Sequence, residues 1–308
     1  MALYLVTGGA GFIGSHLVEA LARRGDQVRV LDNFSSGQRA NLRHLAPDFQ
    51  SLVVIEGDVR DADAVQLAME DVDYVLHEAA LVSVPQSMVD PQTAHAVNVT
   101  GTLNVLVAAR EANVKRMVLA SSCAVYGDND DLPLRETSAT KPMSPYAASK
   151  LIGEVYCQLF YRAYGLPTTC LRYFNVYGPR QNPDGDYAAV VPKFVQRMKA
   201  GQPPIIYGDG LQTRDFVHVS DIVRANLLAC DRDEAIGQIF NVASGRASSL
   251  LDLVEALNHS RAARLEPIFE PARAGDIRDS VGSCERIAAA LGFKIETPLA
   301  VGLAQLAA

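Results

Sequence analysis

The N-terminus begins with an apolar stretch that runs directly into a cluster of glycines. Residues 2–7 are apolar nearly throughout, as in a buried parallel strand. Gly8, Gly11 and Gly14 follow, and an amphipathic helical pattern comes next. Gly8 permits a tight turn, Gly11 lets the backbone approach a pyrophosphate, and Gly14 lets a helix pack on the strand. A glycine cluster alone could be a turn, but this strand–turn–helix context predicts a dinucleotide site at a helix N-terminus.

Two further strands end in carboxylates. The strand predicted at 27–31 ends in Asp32, which suits the ribose diol of NAD and would repel the 2′-phosphate of NADP. No arginine directly follows it, so we expect NAD. A third strand, predicted over 52–59, ends in Asp58 and Val59, placed to border the adenine. Asp58 could equally cap the next helix.

The same alternation continues to residue 122. A fourth strand at 72–77 leads into Ala79 and Ala80, whose small side chains would let the chain pass close to the cofactor. His77, in that apolar strand, is interpreted as a core histidine with hydrogen-bond partners. A helix over 92–112 contains Asn98, and a fifth strand at 116–122 ends in Ser122. Four strand–helix alternations predict an α/β fold with a doubly wound parallel sheet, whose ligand lies beyond the carboxyl ends of the strands.

A Tyr-x-x-x-Lys pair lies on the helix predicted over 145–164. Tyr146 and Lys150 point the same way because they are four residues apart. A cation held there would lower the tyrosine pKa from its usual value of about 10. Ser122 would add a hydroxyl donor from the end of its strand. The pair alone could be a surface tyrosine and a solvated lysine, but the dinucleotide site upstream favours a catalytic group.

Composition limits the classes of partner. The net charge of −7 over 308 residues and a pI near 5.4 argue against a nucleic-acid or anionic-membrane surface. The five cysteines are scattered without a C-x-x-C, which fits reduced thiols in a cytoplasmic protein. The histidines show no ligand spacing, so no metal is expected. No apolar run approaches the roughly 18 residues that span a bilayer, and no signal peptide is expected.

Seven motifs, in order over nearly the whole chain, resemble the extended short-chain dehydrogenase/reductase family, specifically its nucleotide-sugar epimerases and dehydratases. The motifs are TGGAGFIGSHL at 7–17, LDNFSSG at 31–37, SSCAVYG at 121–127, SPYAASK at 144–150, RYFNVYGPRQNP at 172–183, DGLQTRDFVHVSD at 209–221 and RAGDIRDS at 273–280. The resemblance implies a two-lobed enzyme that holds NAD firmly and a nucleotide-sugar in the cleft. The NAD-binding (Rossmann) lobe would be 1–180 with 211–243 returning to it, and the smaller substrate lobe 181–210 and 244–308.

The resemblance also assigns expected roles residue by residue. The catalytic residues would be Ser122, Tyr146 and Lys150. Asn175 would contact the nucleotide diphosphate, Arg214 and Arg273 would bind it, and Asp276 would hold the nucleotide ribose. A salt bridge to Asp215 is the alternative for Arg214. The expected cofactor-binding residues are Gly8, Gly11, Phe12, Ile13, Gly14, Asp32, Asn33, Ser36, Gly37, Asp58, Val59, Ala79, Ala80, Asn98, Tyr146 and Lys150.

The residues after Ser122 separate the chemistries within the family. The 4,6-dehydratases that this chain resembles carry Asp and Glu where it has Cys123 and Ala124, so elimination of water lacks its base. The expected activity is therefore UDP-sugar 4-epimerisation through a 4-keto intermediate. Cys123 is either a small apolar filler or a working thiol. Uronate 4-epimerase, decarboxylase, dehydratase and reductase activities remain alternatives, as does a redox-sensing NAD-binding protein, although a sensor has no need of the catalytic set.

Substrate size and assembly follow from the same resemblance. Ser280 corresponds to a position against the C2 substituent of the sugar, where a tyrosine excludes N-acetyl sugars. A serine leaves room for UDP-GlcNAc and UDP-GalNAc, with UDP-Glc and UDP-Gal also accepted; alternatively Ser280 is only a loop serine. The helices predicted at 92–112 and 145–164 are those through which relatives dimerise, which implies a homodimer.

Overall fold

A seven-stranded parallel sheet forms the centre of the protein. The computed structural model describes residues 1–45, 51–184, 189–259, 264–272 and 277–307. Its strands are β1 (Leu3–Thr7), β2 (Gln27–Asp32), β3 (Leu52–Glu56), β4 (Tyr74–His77), β5 (Arg116–Ser122), β6 (Thr168–Tyr173), β7 (Asn175–Tyr177), β8 (Ile205–Tyr207), β9 (Thr213–Arg214), β10 (Phe216–His218), β11 (Gln238–Val242), β12 (Ser248–Ser249) and β13 (Ile268–Glu270). The order in the large sheet is β3-β2-β1-β4-β5-β6-β11. The predicted doubly wound parallel sheet is therefore confirmed.

Helices cover both faces of this sheet. They are α1 (Phe12–Arg24), α2 (Ala40–Arg43), α3 (Ala62–Ala68), α4 (Val84–Val89), α5 (Pro91–His95), α6 (Gly101–Glu111), α7 (Pro145–Tyr164), α8 (Val190–Lys199), α9 (Val219–Asp231), α10 (Leu250–His259), α11 (Glu285–Leu291) and α12 (Leu299–Ala307). Short 3₁₀ turns lie at Cys123–Tyr126 and Asp233–Ala235. None of the helices in the described ranges is long and apolar enough to cross a membrane.

Two predicted elements differ from those observed. The third strand ends at Glu56 rather than Val59, because the chain leaves the sheet at Gly57. The helix predicted over 92–112 consists of α5, a π turn at Ala96–Thr100, and α6. Such π turns often accompany functional sites. By contrast, α7 has the predicted bounds: Ser144 caps it by accepting a hydrogen bond from Ala147 N at 3.1 Å, and a C-terminal glycine ends it.

The core lies in two apolar layers, one on each face of the sheet. One layer contains Leu17 of α1 and Ile222 of α9, both fully buried. The other contains Val65 of α3, Val105 of α6 and Cys157 of α7. Apart from the edge strand β3, which exposes Val53 by 52%, the sheet is thus largely buried on both faces, which explains why its strands are apolar without alternation.

A third, smaller apolar cluster lies outside these layers. It joins Phe194 of α8, Leu253 of α10 and Leu303 of α12. The β7–β10 pair leads from the large sheet toward it, and the buried Asp215 lies just before β10. The Asp215 carboxylate accepts hydrogen bonds from the Ser244 N–H and hydroxyl at 2.7 and 2.6 Å, and from Gly282 N at 3.2 Å. This carboxylate therefore joins three distant segments of chain beside the carboxyl ends of the strands.

Candidate active site

The glycine-rich loop forms a tight cradle between β1 and α1. Gly8 has φ +68°, and a Cβ there would lie 2.7 Å from Ala79 N. A Cβ on Gly14 would lie 2.2 Å from the Gly8 carbonyl oxygen. Gly11 caps α1 without a side-chain hydrogen bond, and the expected cofactor residues Phe12 and Ile13 begin the helix. A turn packed this closely, ending at a helix N-terminus without a side-chain cap, fits the pyrophosphate of a dinucleotide.

Asp32 ends β2 directly beside this cradle. Its two carboxylate oxygens accept hydrogen bonds from Ala10 N at 2.9 Å and Phe34 N at 2.8 Å. Each oxygen keeps a further acceptor site, which suits a ribose diol. The following loop, with the expected residues Ser36 and Gly37, closes over the carboxylate: a Cβ on Gly37 would lie 2.8 Å from both oxygens.

Asp58 is held by an arginine that the sequence analysis did not single out. Arg60 donates to its oxygens from Nε at 2.9 Å and from Nη2 at 2.7 Å, and Asn33 donates at 2.8 Å. Chiefly through the Arg60 hydrogen bonds, the pKa of Asp58 lies well below its usual range. Asp61, not Asp58, caps α3, so the capping alternative for Asp58 is wrong. Val59, beside it, is buried.

Asn98 is a buried amide with hydrogen-bond partners inside the protein. Its amide donates to Leu81 O at 3.0 Å and Ser149 Oγ at 2.9 Å, and its carbonyl accepts from Leu81 N at 2.8 Å. Asn98 thus fixes Leu81, two residues after Ala79, which lies against Gly8. Its expected contact with the cofactor stays a prediction.

The three predicted catalytic residues do come together. The Ser122 hydroxyl, at the end of β5, lies near enough to the Tyr146 phenol in the first turn of α7 to lower its pKa. Lys150, one turn further along α7, is buried; its ammonium lies 5.9 Å from the centroid of the Tyr146 ring and donates to Ala120 O at 2.8 Å. The first turn of a helix also favours negative charge, so Tyr146 is well placed to act as a phenolate.

Burial, however, dominates the protonation of this pair in the protein by itself. It raises the pKa of Tyr146 to about 12, although the hydrogen bond from Ser122 lowers it. Burial also lowers the pKa of Lys150 to about 8, opposed by the charge of Glu78. The expectation that the lysine brings the tyrosine pKa below 10 is therefore wrong for the protein alone. A positive group bound nearby would be needed to favour the phenolate.

His77 is a core residue, as the sequence suggested. Its ring nitrogens contact the Thr7 hydroxyl at 2.7 Å and the Thr102 hydroxyl at 2.9 Å, and the ring is 1% exposed. Burial, with the charge of Lys150, lowers its pKa to about 3. A neutral histidine that uses both nitrogens in this way does not exchange protons with a substrate.

The expected substrate residues are only partly within the described ranges. Asn175 donates to Asp215 O at 3.4 Å, and Arg214 donates from Nη1 to Thr213 O at 2.8 Å. The Asp215 carboxylate accepts hydrogen bonds from the backbone N–H groups of Ser244, Gly245 and Gly282. These bonds argue against the alternative that Asp215 serves as a salt-bridge partner of Arg214. The remaining two expected substrate residues lie outside the described residues: Arg273 and Asp276.

Cys123 and Ser280 meet although they are far apart in sequence. The Cys123 thiol lies near enough to the hydroxyls of Ser280 and Ser122 for both to lower its pKa, and Ser280 is buried. Burial raises the pKa of Cys123 to about 11, so the thiol stays protonated and is not a nucleophile. Cys123 packs against the apolar layer that contains Leu17 and Ile222, as the filler alternative expects, and its protonated thiol argues against the working-thiol alternative.

A buried polar chain, also absent from the predicted site, lies on the other side of Lys150. Tyr173, at the end of β6, donates to Glu78 Oε1 at 2.7 Å, and Asn226 donates to the Tyr173 oxygen at 2.7 Å. Burial raises the pKa of Glu78 to about 7, while Tyr173 and Lys150 lower it. Glu78 directly follows β4 and Tyr173 ends β6. Their position at the carboxyl ends of parallel strands was the sequence signal that could have identified them as site residues.

Comparisons with known proteins agree with this geometry. The model of the NAD dependent epimerase/dehydratase family matches residues 4–243. The chain is 41% identical over 303 residues to a UDP-glucose 4-epimerase of Mycolicibacterium smegmatis, covering 98% of this chain and 96% of that one. It is 39% identical over the same length, with the same coverage, to a putative UDP-glucose 4-epimerase of Methanocaldococcus jannaschii.

Solved structures give the same picture. A UDP-N-acetylglucosamine 4-epimerase from Methanobrevibacter ruminantium, in complex with UDP-N-acetylmuramic acid, has a TM-score of 0.93 at 38% identity, covering 98% and 97% of the two chains. A Thermus thermophilus UDP-glucose 4-epimerase in complex with NAD has a TM-score of 0.88 at 36% identity, covering 99% and 97%.

Similar proteins also include a Bacillus cytotoxicus UDP-N-acetyl-alpha-D-glucosaminuronate decarboxylase, 37% identical over 86% of this chain and 83% of that one. A Bacillus cereus UDP-glucuronic acid 4-epimerase has a TM-score of 0.90 at 29% identity, covering 98% and 96%.

Proposed function

The chain belongs to the NAD dependent epimerase/dehydratase family, and from that premise we propose that this NAD-dependent enzyme inverts C4 of a UDP-sugar. The observation that carries the proposal is the position of Lys150: its buried ammonium lies 5.9 Å from the centroid of the Tyr146 ring, and the Ser122 hydroxyl is near enough to the phenol to lower its pKa. This set provides a base for a carbinol proton and a donor for the same oxygen.

Each residue has a distinct part in the proposed reaction. NAD, when bound, supplies the acceptor and donor of a hydride and a positive charge near the phenol. Tyr146 removes the proton of the sugar 4-hydroxyl as the C4 hydride leaves, which gives a 4-ketosugar. Ser122 hydrogen-bonds that oxygen, and Lys150 favours the phenolate. Once the ketosugar turns its other face, the hydride would return to C4 while Tyr146 returns the proton to the oxygen, so that C4 is inverted without net oxidation.

The residues that would hold NAD are those of the glycine cradle and the strand ends after β2 and β4. Gly8 and Gly14 leave no room for side chains beside α1, and Asp32 keeps acceptor capacity for a ribose diol. The full set that we propose is the one expected from the sequence, with Asn98 acting through the backbone of Leu81.

Ala124 favours epimerisation over dehydration. Its side chain has no group that can accept or donate a proton, and its backbone N–H donates to Ser122 Oγ at 3.1 Å. Elimination across C5–C6 needs a base at that position, and the protonated Cys123 thiol does not supply one. A dehydratase reading is therefore the weaker one.

We further propose UDP-GlcNAc and UDP-GalNAc as substrates, with UDP-Glc and UDP-Gal also accepted. Ser280 supports this choice, because it approaches the catalytic serine through Cys123 and its side chain is small. The Methanobrevibacter ruminantium neighbour, named as a UDP-N-acetylglucosamine 4-epimerase, also favours it. Arg214, Asn175 and the two residues outside the described ranges, Arg273 and Asp276, would bind the nucleotide diphosphate and its ribose.

A panel of UDP-sugars tests these proposals. The purified protein is incubated with UDP-GlcNAc, UDP-Glc and UDP-glucuronate, and products are separated by chromatography and mass spectrometry. We expect the C4 epimers of the first two at equilibrium, with no 4-keto-6-deoxy product. Loss of carbon dioxide from UDP-glucuronate would indicate a decarboxylase instead. Epimerisation of UDP-glucuronate alone would indicate a uronate 4-epimerase, and a product lighter by one water would indicate a dehydratase.

We propose the same two lobes as the sequence analysis, and a homodimer. The third apolar cluster supports a separate substrate lobe of 181–210 and 244–308. One face of α7 exposes Ile152 by 36%, Val155 by 60% and Leu159 by 47%, an apolar surface that a second copy would cover. Analytical ultracentrifugation at micromolar concentration tests the dimer, and a monomer there would contradict it.

A further inference from the structure

Building on the function proposed above, we propose that Glu78 is a positioning residue that keeps the Lys150 ammonium protonated beside Tyr146. Glu78 directly follows β4, and β4 pairs with β5 in parallel register, His77 opposite Leu119. Glu78 and Ala120 are the residues that follow this last pair on the two adjacent strands. Ala120 is the residue whose carbonyl accepts the Lys150 ammonium at 2.8 Å, so Glu78 lies beside the strand position that holds the ammonium.

The carboxylate of Glu78 is held in place rather than free to leave this site. Tyr173 donates to its Oε1 at 2.7 Å, and the fully buried Asn226 in turn donates to Tyr173 at 2.7 Å. Its backbone is fixed as well, since Glu78 N donates to Thr7 O at 3.2 Å. A side chain anchored at both ends presents a charge at a defined place.

Lys150 needs such a partner because it is buried. The residue is 7% exposed, and an ammonium removed from water loses its proton more readily unless an opposite charge lies close by. Its hydrogen bond to Ala120 O uses one of the three N–H donors of the ammonium. The carbonyl group offers a dipole but no negative charge.

The other ionisable groups around Lys150 do not provide that charge. His77, from β4, is neutral at ordinary pH, and the Cys123 thiol is protonated. Burial raises the pKa of Tyr173 well above its usual value, so it too is neutral. Tyr146 shares α7 with Lys150 and carries charge only during the reaction. One turn beyond Lys150, the charge of Glu154 is compensated by Arg172, with 2.7 Å between Oε2 and Nη2.

Glu78 therefore remains as the anionic group near Lys150 among the described residues. Burial raises the pKa of Glu78 and lowers the pKa of Lys150, and the charge of each group opposes the shift of the other. Each group therefore favours the charged form of its neighbour. Replacing the carboxylate by an amide would leave Lys150 to deprotonate at lower pH, and Tyr146 would lose its cationic neighbour there.

The test measures the protonation of Lys150 directly. The chain has only six lysines, so the NAD-saturated protein labelled with [13Cε]lysine gives few NMR signals, and Lys150→Met identifies the one of interest. We expect Glu78→Gln to lower the titration midpoint of Lys150 by about one pH unit, the lower end of the effect of a close opposite charge. Glu56→Gln is the matched control, since Glu56 also ends a strand of the sheet but lies at the far edge.

Two more variants separate this role from a structural one. Tyr173→Phe removes the hydrogen bond that stabilises the Glu78 carboxylate, so it shifts Lys150 in the same direction by less. The Glu78→Gln/Tyr173→Phe double variant shifts Lys150 no further than Glu78→Gln alone. Glu78→Asp keeps the charge and gives a midpoint nearer to wild type. If Glu78→Gln does not fold, the Tyr173→Phe and Glu78→Asp midpoints decide the question.

Kinetics provides an independent arm. The alkaline limb of the kcat profile of Glu78→Gln moves to lower pH by the same amount as the NMR midpoint, with KM little changed. An unshifted Lys150 midpoint in Glu78→Gln overturns the role of Glu78, whatever the activity. A shifted midpoint in a protein that turns over no UDP-sugar overturns the proposed function and leaves the role of Glu78 beside Lys150 intact.

Discussion

Lys150 and Tyr146 are one turn apart on α7, yet the Lys150 ammonium donates its hydrogen bond to Ala120 O and lies 5.9 Å from the centroid of the Tyr146 ring. Helix register aligns the two side chains, but the end of β5 decides where the charge is held. The ammonium is therefore held by β5 rather than by the phenol, whose pKa is lowered by the nearby Ser122 hydroxyl. This division of roles underlies the predictions that follow.

Tyr146→Phe should abolish turnover without loss of NAD. Removal of a general acid–base group typically costs about 10²–10⁴-fold, so we expect a fall of at least about 100-fold in kcat for UDP-GlcNAc. Bound NAD, measured by absorbance after denaturation, should be unchanged. Tyr164→Phe, in the last turn of the same helix, is the control and should keep wild-type activity. Wild-type turnover by Tyr146→Phe would remove the phenol from the mechanism.

Two alanine substitutions should separate folding from cofactor binding in the glycine cradle. At Gly14 a Cβ would lie 2.2 Å from Gly8 O, so Gly14→Ala should lose both stability and NAD. Gly11 has φ −74° and its Cβ would lie 3.1 Å from the same oxygen, so Gly11→Ala should fold but bind NAD more weakly. Thermal unfolding and NAD titration measure the two properties.

The control for this pair is Gly25→Ala. Gly25 has φ +86° with open space around it, so alanine there should cost about 1 kcal/mol in backbone strain and leave NAD binding unchanged. Equal NAD affinity in Gly11→Ala and wild type would show that the pyrophosphate does not approach this residue.

Ser280→Tyr should separate the two proposed sugar pairs. Crowding a packed site costs about 1–3 kcal/mol, which corresponds to roughly a 5- to 150-fold loss of kcat/KM for UDP-GlcNAc at 1.4 kcal/mol per factor of ten. Activity on UDP-Glc should remain. Ser280→Ala, which keeps the space but removes the hydroxyl, should act on both pairs. The size argument fails if Ser280→Tyr treats both pairs alike.

The buried ion pair between Arg172 and Glu154 should be costly to break from one side. Both side chains are at most 4% exposed, so Arg172→Met leaves a buried carboxylate without its partner, at about 3–5 kcal/mol in the free energy of unfolding. Urea denaturation measures this cost. Arg172→Met/Glu154→Leu should recover much of it, because the unpaired charge is gone.

An exposed pair serves as the comparison for this experiment. Arg264→Met removes ion pairs to Glu255 and Glu266, whose side chains are 45% and 74% exposed, and should cost at most about 1 kcal/mol. Similar losses in Arg172→Met and Arg264→Met would mean that burial does not set the strength of the Arg172–Glu154 pair.

Local signals in the sequence were sufficient for most elements. The α7 helix has the predicted bounds because Ser144, Pro145 and the glycine after Tyr164 mark its ends by local chemistry. The third strand was extended too far because its apolar pattern does not record where the chain leaves the sheet at Gly57. The hydrogen-bond partners of Asn98 could not be predicted from the sequence because the partners of a buried amide, here Leu81 and Ser149, come from elsewhere in the chain.

The sequence by itself determined the parallel sheet, the glycine cradle and the alignment of Tyr146 with Lys150, since each depends on neighbours within a few residues or on the order of strands. Only the tertiary structure decided that Cys123 meets Ser280, that Glu78 is held by Tyr173, and that burial raises the pKa of Tyr146. The physical reason is that solvation and long-range contact depend on which strand ends become neighbours. That proximity is created by the folded sheet and not by any local segment.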